Sequence, residues 1–263
     1  MSYLSVPLWR LALALVLIAL SLAISRWHAL ELEKRLLIGT ARAAVQLFAA
    51  GAVLSFVFAH DSPFLVFGFV LSMWVVAAIT AARRTEHGPP ARELFPYALA
   101  SVGIGAAVVL LPVFALVLRP TRWYEPRLVI PIGGMMLSAA MNVVSQVFER
   151  VFAQVDGDRA LVEQWLALGA SPQQAIAAQS RAALRSALIP QLNALITLGL
   201  VSLPGMMTGQ IVSGTDPAQA VRYQLVIMYQ LVAVAAVAGA LAVFFARRLL
   251  FNAREQLRVY AIQ

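Results

Sequence analysis

No cysteine occurs in the 263 residues, so disulfides and thiolate metal sites are excluded. Charge is scarce as well. Only 12% of residues are Asp, Glu, Lys or Arg, where ordinary soluble domains carry about 25%. The three histidines, His28, His60 and His87, fall in expected connections and do not cluster. No G-x-x-x-x-G-K-[ST] phosphate loop is present, so the chain does not bind ATP by that route. Neither H-E-x-x-H nor G-x-S-x-G occurs, which leaves intramembrane hydrolysis without support and disfavours an enzyme.

What fills the chain instead is apolar length. Apolar residues make up 61%, and runs of about 20 of them are long enough to cross a bilayer. Seven such spans are expected: Val6–Ser25, Leu36–Ala59, Phe64–Ala82, Leu94–Leu118, Leu128–Phe152, Gln191–Ser213 and Ala218–Ala246. The first run could be a cleaved signal peptide, but it is long and no clean small-x-small site precedes a polar mature domain, so it is read as a retained helix. The expectation is an all-α polytopic integral membrane protein with about seven transmembrane helices. Residues 1–263 then form one transmembrane domain, closed by a basic amphipathic tail over Arg247–Gln263.

Net charge is +8, and in a membrane protein a basic excess records topology before any nucleic-acid partner. With the C-terminus placed in the cytoplasm, fifteen basic residues fall inside and five outside. The expected orientation is therefore N-terminus outside and C-terminus cytoplasmic. The cluster Arg119, Arg122 and Arg127 falls on the outer side and runs against the rule.

Polar residues inside apolar spans need a partner or a cavity. In the fifth span Ser138, Asn142, Gln146 and Glu149 recur at helical spacing and share a face. In the sixth, Asn193, Thr197, Pro204 and Thr208 do so, with Gln210 nearby. The second span offers Arg42 and Gln46, and the seventh Tyr223, Gln224 and Gln230. Such faces serve either interhelical hydrogen bonding or a polar pathway, and the residues leave both open. Within Val201–Gly209, Pro204 removes a helix hydrogen bond and Gly205 loosens the backbone, so a kink or break is expected there. Gly205 and Gly209 also make a G-x-x-x-G pair suited to close helix contact. A broken helix marks either a transport site or a packing kink. Met135, Met136, Met141, Met206, Met207 and Met228 gather in the same spans; core filling explains them most simply, and a soft thioether site for Cu(I) is the other reading.

One stretch stays helix-forming but turns polar, Leu161–Pro190. Leu161–Leu168 reads as a short helix, and Gly169 fits the left-handed residue that ends one. Ser171 supplies an N-cap and Pro172 the first helical position. A short helix, a tight turn and a second capped helix at a membrane surface have the form of a docking element.

Particular stretches carry a resemblance. Glu163 and Gly169 have the offset found in the cytoplasmic coupling loop of ABC importer permeases, although Ala187-Leu188-Ile189-Pro190 lies farther downstream than that loop's closing motif. LALGASPQQA (166–175), RSALIPQL (185–192), GLVSLPGMMTGQI (199–211), GTDPAQAVRYQ (214–224) and IPIGGMMLSAAMN (130–142) are similar to hallmark stretches of FetB-type (YbbM) ABC transporter permeases. Where that family more usually carries a Gly, this chain has Ala139-Ala140-Met141-Asn142.

The resemblance implies a multi-pass permease of a bacterial inner membrane. It implies a separate cytoplasmic ABC ATPase that binds ATP and Mg, in a complex of two permeases and two ATPases, with no cofactor in this chain. Relatives are associated with iron export and with plant aluminium tolerance, so a metal such as iron is the first cargo. A lipid or nucleotide-sugar permease, and a non-transporting scaffold, are the alternatives. The implied ATPase-coupling residues are Glu163, Leu168, Gly169, Ala170, Ser171 and Pro172, within a cytoplasmic region of about 153–190. The implied translocation residues are Ser138, Asn142, Gln146, Asn193, Thr197, Pro204, Gly205, Met206, Met207, Thr208 and Gln210. No metal ligand set is identified: no carboxylate or histidine lies deep in a span, so a hard cation would need carbonyls, amides or loop acids.

Overall fold

The computed structural model describes residues 7–201 and 203–258. Ser202, the start of the first expected span at Val6 and the tail's end at 259–263 lie outside the described residues. The chain divides into two compact units, Met1–Ser62 and Pro63–Gln263.

The first unit is a pair of helices, α1 (Leu8–Trp27) and α2 (Glu33–His60). Ser25 fixes the turn between them. It is buried, donates to Glu33 Oε1 at 2.9 Å and accepts from the Leu32 amide at 3.2 Å. Asp61, with φ +40°, ends α2 in the left-handed region, where Asp is tolerated better than most residues.

The second unit contains α3 (Pro63–Arg83), α4 (Ala91–Pro112), α5 (Pro126–Gly157), α6 (Arg159–Ala167), α7 (Pro172–Ala175), α8 (Ala177–Ile196), α9 (Gly205–Val212) and α10 (Pro217–Leu250). Prolines start α5 and α10 where the missing N–H costs nothing, and Asp216 caps α10 by accepting from the Gln219 amide. After Pro112 the helix widens into a π-helical turn, Val113–Leu118, and stops at Arg119 with φ +40°. The wide turn follows from a proline ring that cannot donate to the preceding ladder.

Helix α5 is the hub, packing against α3, α4, α8 and α10. Ile132, Met136, Ala140, Val143, Val144, Val147, Phe148 and Val151 of α5 are wholly buried. Opposite them α10 presents Ala235, Ala238, Ala242 and Ala246, a stripe of small residues that lets backbones approach. A Cβ on Gly105 of α4 would lie 2.7 Å from the Ala238 Cβ and 2.9 Å from its Cα. Gly239 of α10 leaves room for Leu184 of α8 and Val143 of α5. Gly103 accommodates the Trp74 indole, whose Nε1 donates to the Leu99 carbonyl at 2.9 Å.

Among the described residues, five helical stretches are long and apolar enough to cross a membrane: Glu33–His60, Pro63–Arg83, Ala91–Leu118, Pro126–Gly157 and Pro217–Leu250. They correspond to the second, third, fourth, fifth and seventh expected spans. The first expected span falls on α1, Leu8–Trp27. The expected sixth span is not one helix. Its first half belongs to α8, which runs unbroken through Pro190, and its second half is α9. The basic tail is also different from expectation, because α10 continues through Arg247 and Arg248 to Leu250. Beyond it Phe251 pairs with Leu257 in an isolated antiparallel bridge.

The Gly105 contact is testable. Gly105→Val should force α4 from α10, where Ala238 is backbone-close, at about 1–3 kcal/mol for overpacking. A clearly lower unfolding midpoint in detergent is expected, and an unchanged midpoint would refute the close approach.

Candidate functional site

Two features of the second unit set the site: a rigid surface turn at one end and an interrupted helix leading away from it.

The turn begins at α6. Asp158, just before it, accepts from Gln179 Nε2 of α8 at 2.9 Å, and Val162 is fully buried, so α6 is clamped against the bundle. It ends in a Schellman arrangement: the Gly169 amide donates to Leu166 O and the Ala170 amide to Trp165 O, both at 3.0 Å. Gly169 has φ +86° with open space beside it, so glycine is needed for the backbone conformation and not for room. Ser171 and Gln174 form a capping box, with Pro172 at the first helical position. The expected left-handed Gly169 and Ser171 cap are both present. Arg247 of α10 donates to Gln173 Oε1 at 2.6 Å and ties the turn to the end of the longest helix.

The expected second capped helix differs. Ser171 caps only the four residues of α7, and the chain re-enters the bundle at Ile176, which is buried. Helix α8 packs one row, Gln179, Ala183 and Ala187, into the bundle and leaves its other side exposed. Within the region 153–190, the capped turn elements are confined to 158–175. Glu163 faces solvent in an ion pair with Arg159 one turn earlier, at 2.8 Å.

Beside the turn lies a feature that the sequence reading passed over. Leu161, Trp165 and Leu168 stand at i, i+4 and i+7, on one face of α6 and its cap, with Trp165 51% and Leu168 82% exposed. The i, i+4, i+7 spacing of Leu161, Trp165 and Leu168 was the visible signal in the sequence.

The interruption follows α8. Thr197 ends that helix, Gly199 takes φ +77°, and Pro204 with φ −65° and ψ 145° caps α9. The expected break is present, but it is a whole segment, 197–204. Pro204 stands outside the helix it was expected to kink, so replacing it alone does not rebuild a continuous ladder. Thr197 Oγ1 donates to Asn193 O and Thr208 Oγ1 to Pro204 O, each serving its own helix. Leu200 is 87% exposed, as are Asn193 and Thr208 in kind. Gly205 and Gly209 do not make the close contact expected of their spacing, since a Cβ on either meets nothing within 4 Å. Helix α9 rests against α10 by another face.

The polar face of α5 is divided. Ser138 is exposed and Gln146 half-buried. Asn142 accepts from Arg84 Nη1 at 2.9 Å. Glu149 takes the Glu86 and His87 amides on Oε2 and His87 Nδ1 on Oε1 at 2.5 Å. These bonds hold the α3–α4 connection to α5, which is a structural use of the polar face. Met136 and Met228 are buried, and Met135, Met141 and Met206 pack against the core, as filler does; Met207 is half-buried.

Among the described residues four glutamines carry buried, unpaired polar atoms, and Gln179, whose Nε2 is bound to Asp158, keeps only its Oε1 unpaired. Gln210 Oε1, Gln224 Oε1 and both amide atoms of Gln230 are buried with no hydrogen-bond partner among the described residues, as is Ser101 Oγ of α4. Gln230 is only 2% exposed. A native structure leaves few such groups unpaired, and those it leaves are candidates for ligand or water contact. Among the described residues no group of three or more His, Asp or Glu side chains could hold a metal.

Comparison with known proteins gives these features a family. A model described as "Uncharacterised protein family (UPF0014)" matches residues 8–251. The chain belongs to the UPF0014 family. A UPF0014 membrane protein of Synechocystis sp. is 36% identical over 92% of this chain and 93% of its own. The "Probable iron export permease protein FetB" of Escherichia coli is 35% identical over 95% of this chain and 94% of its own. "Protein ALUMINUM SENSITIVE 3" of Arabidopsis thaliana is 33% identical over 95% and 89%. No solved structure matches the chain. This UPF0014 member is thus a polytopic all-α membrane protein, related over nearly its whole length to a protein named for iron export.

Gln230→Leu tests the buried amide. Removing an unpaired buried group worth about 1–3 kcal/mol should raise the unfolding midpoint. Loss of transport in the stabilised protein is the result that a lining role requires; full activity would remove Gln230 from the pathway.

Proposed function

We propose that the chain is the transmembrane permease subunit of an ABC transporter in a bacterial inner membrane. A separate cytoplasmic ATPase binds ATP and Mg and drives it, and the cargo is a metal such as iron. The observation that carries this reading is the exposed row Leu161, Trp165 and Leu168 on a helix clamped at its start and followed by a turn tied to α10. An apolar row on a rigid surface turn is a protein-docking surface. The neighbouring Gly169, Ala170, Ser171 and Pro172 fix its shape, while Glu163 serves the rim.

Coupling follows from the connectivity. Helix α7 leads through Ile176 into α8, which at 1.5 Å per residue is a lever about 30 Å long. Its far end is the break at 197–204. A push on the docking turn therefore reaches the break through one stiff element. Irregular backbone is tolerated at membrane depth only where protein or a water-filled cavity covers it. The exposed Leu200 and Val201 at the break call for such cover, which two permeases in a 2+2 complex would supply.

Asn193, Thr197, Thr208 and Gln210 form the proposed path, and Gln224 and Gln230 join them from α10. Ser138, Asn142 and Gln146 are the α5 contribution, Asn142 partly engaged by Arg84. Neutral oxygens without carboxylates or imidazoles suit brief binding and release of a cation better than tight retention. The iron assignment draws on the printed name of the Escherichia coli relative.

The docking row is tested by Trp165→Glu. Affinity purification from native membranes should lose the phosphate-loop ATPase, while insertion and unfolding midpoint stay near wild type because Trp165 is half exposed. An ATPase retained at wild-type level would end the coupling assignment. Orientation has its own test in a chain without native cysteine. Gln173→Cys should resist an impermeant thiol reagent in intact cells and react after permeabilisation; labelling from outside would reverse the topology.

A further inference from the structure

An apolar groove of about 970 Å³ lies between α3, α4 and α5. Phe67, Gly68 and Leu71 form one wall, Ala107 and Leu111 another, and Leu137 contributes from α5. None of its lining residues carries a charge or a hydroxyl. The groove reaches the α4–α5 end of the unit, where Trp123 lines it, 68% exposed and stacked on Phe67 at 5.1 Å. Tyr124 meets Trp123 edge-on. Trp and Tyr together mark the boundary between hydrocarbon and water.

The same short connection holds the arginines left unexplained by topology. Arg119, Arg122 and Arg127 are exposed, and Glu125 is the one acid among residues 119–127. In the orientation proposed above they occupy the side that should be poor in basic residues. Phe114, Trp123 and Val129 of the groove bracket them along the chain. A hydrocarbon trough that ends in an aromatic rim and a cluster of guanidinium groups matches one chemistry. That ligand has an acyl chain and, at interface depth, a phosphate that arginine can grip in bidentate fashion.

We propose that the groove and this arginine cluster bind one anionic phospholipid, its acyl chain between α3, α4 and α5 and its phosphate at Arg119 and Arg127. The site is separate from the docking turn and from the interrupted helix. It therefore stands or falls independently of the ATPase and the cargo.

Native mass spectrometry of the full chain in detergent, with phosphatidylglycerol and phosphatidylcholine of identical acyl chains, tests it. Phosphatidylglycerol should bind more tightly. Replacing Arg119→Gln and Arg127→Gln together should weaken phosphatidylglycerol about 25-fold, at about five-fold per arginine, and weaken phosphatidylcholine less, because choline already offsets its phosphate charge. Gly68→Phe should exclude both lipids without strain, because a Cβ at Gly68 meets nothing within 4 Å. Ala107→Phe fills the groove from the opposite wall and should act alike, so poor folding of one variant leaves the other to decide. Equal binding of the two lipids, or undiminished phosphatidylglycerol binding to a folded groove-filled variant, would overturn the site. So would a lipid-free dimer that Gly68→Phe dissociates, which would give the groove to a second copy.

Discussion

Close backbone approach through small residues is the constraint on which the second unit depends. Lipid is as apolar as leucine, so burying leucine gains little in a bilayer, and packing contacts must hold helices together. The chain meets this with Gly105 against Ala238 and Gly239 against Leu184 and Val143. Helix α10 therefore lies close enough to α4, α5 and α8 to act as a common wall. Once that wall is set, α8 has a fixed path, and so do the turn before it and the break after it.

The docking turn shows how local rules and tertiary anchoring combine. A Schellman cap and a capping box would each fray on a nine-residue or four-residue helix left alone in water. Here Val162, Ile176 and the Asp158–Gln179 and Arg247–Gln173 bonds hold both helices from behind. The outward face is then free to carry Leu161, Trp165 and Leu168. Apolar groups on a stiff backing lose little entropy on binding, which is what a force-transmitting contact needs.

Polar side chains within the helices fall into two kinds. Glu149 is consumed by the α3–α4 connection, which also engages the side-chain carbonyl oxygen of Asn142, and that polarity serves the fold. Gln210, Gln224 and Gln230 keep buried atoms unpaired, and the fold gives them no use. Helical spacing in the sequence could not separate the kinds, because partners arrive from Arg84 and His87 more than fifty residues away. Ser101 was hidden for a related reason: one hydroxyl in an apolar run carries no pattern.

The sequence by itself determined the helical membrane architecture, five of the long apolar helices to within about five residues at each end, the left-handed Gly169, the Ser171 cap and the presence of a break near Pro204. Each of these is fixed by hydropathy or by backbone chemistry within a few neighbouring residues. Tertiary structure alone decided which row of α8 enters the bundle, because Gln179, Ala183 and Ala187 become a packing face only once Leu184 stands against Gly239 of α10. It decided that Gly205 and Gly209 face open space while Gly105 and Gly239 make the close contacts, since glycine spacing shows which faces could approach and not which do. It also decided which amides are paired, for a hydrogen bond between distant segments is set by where the helices pack.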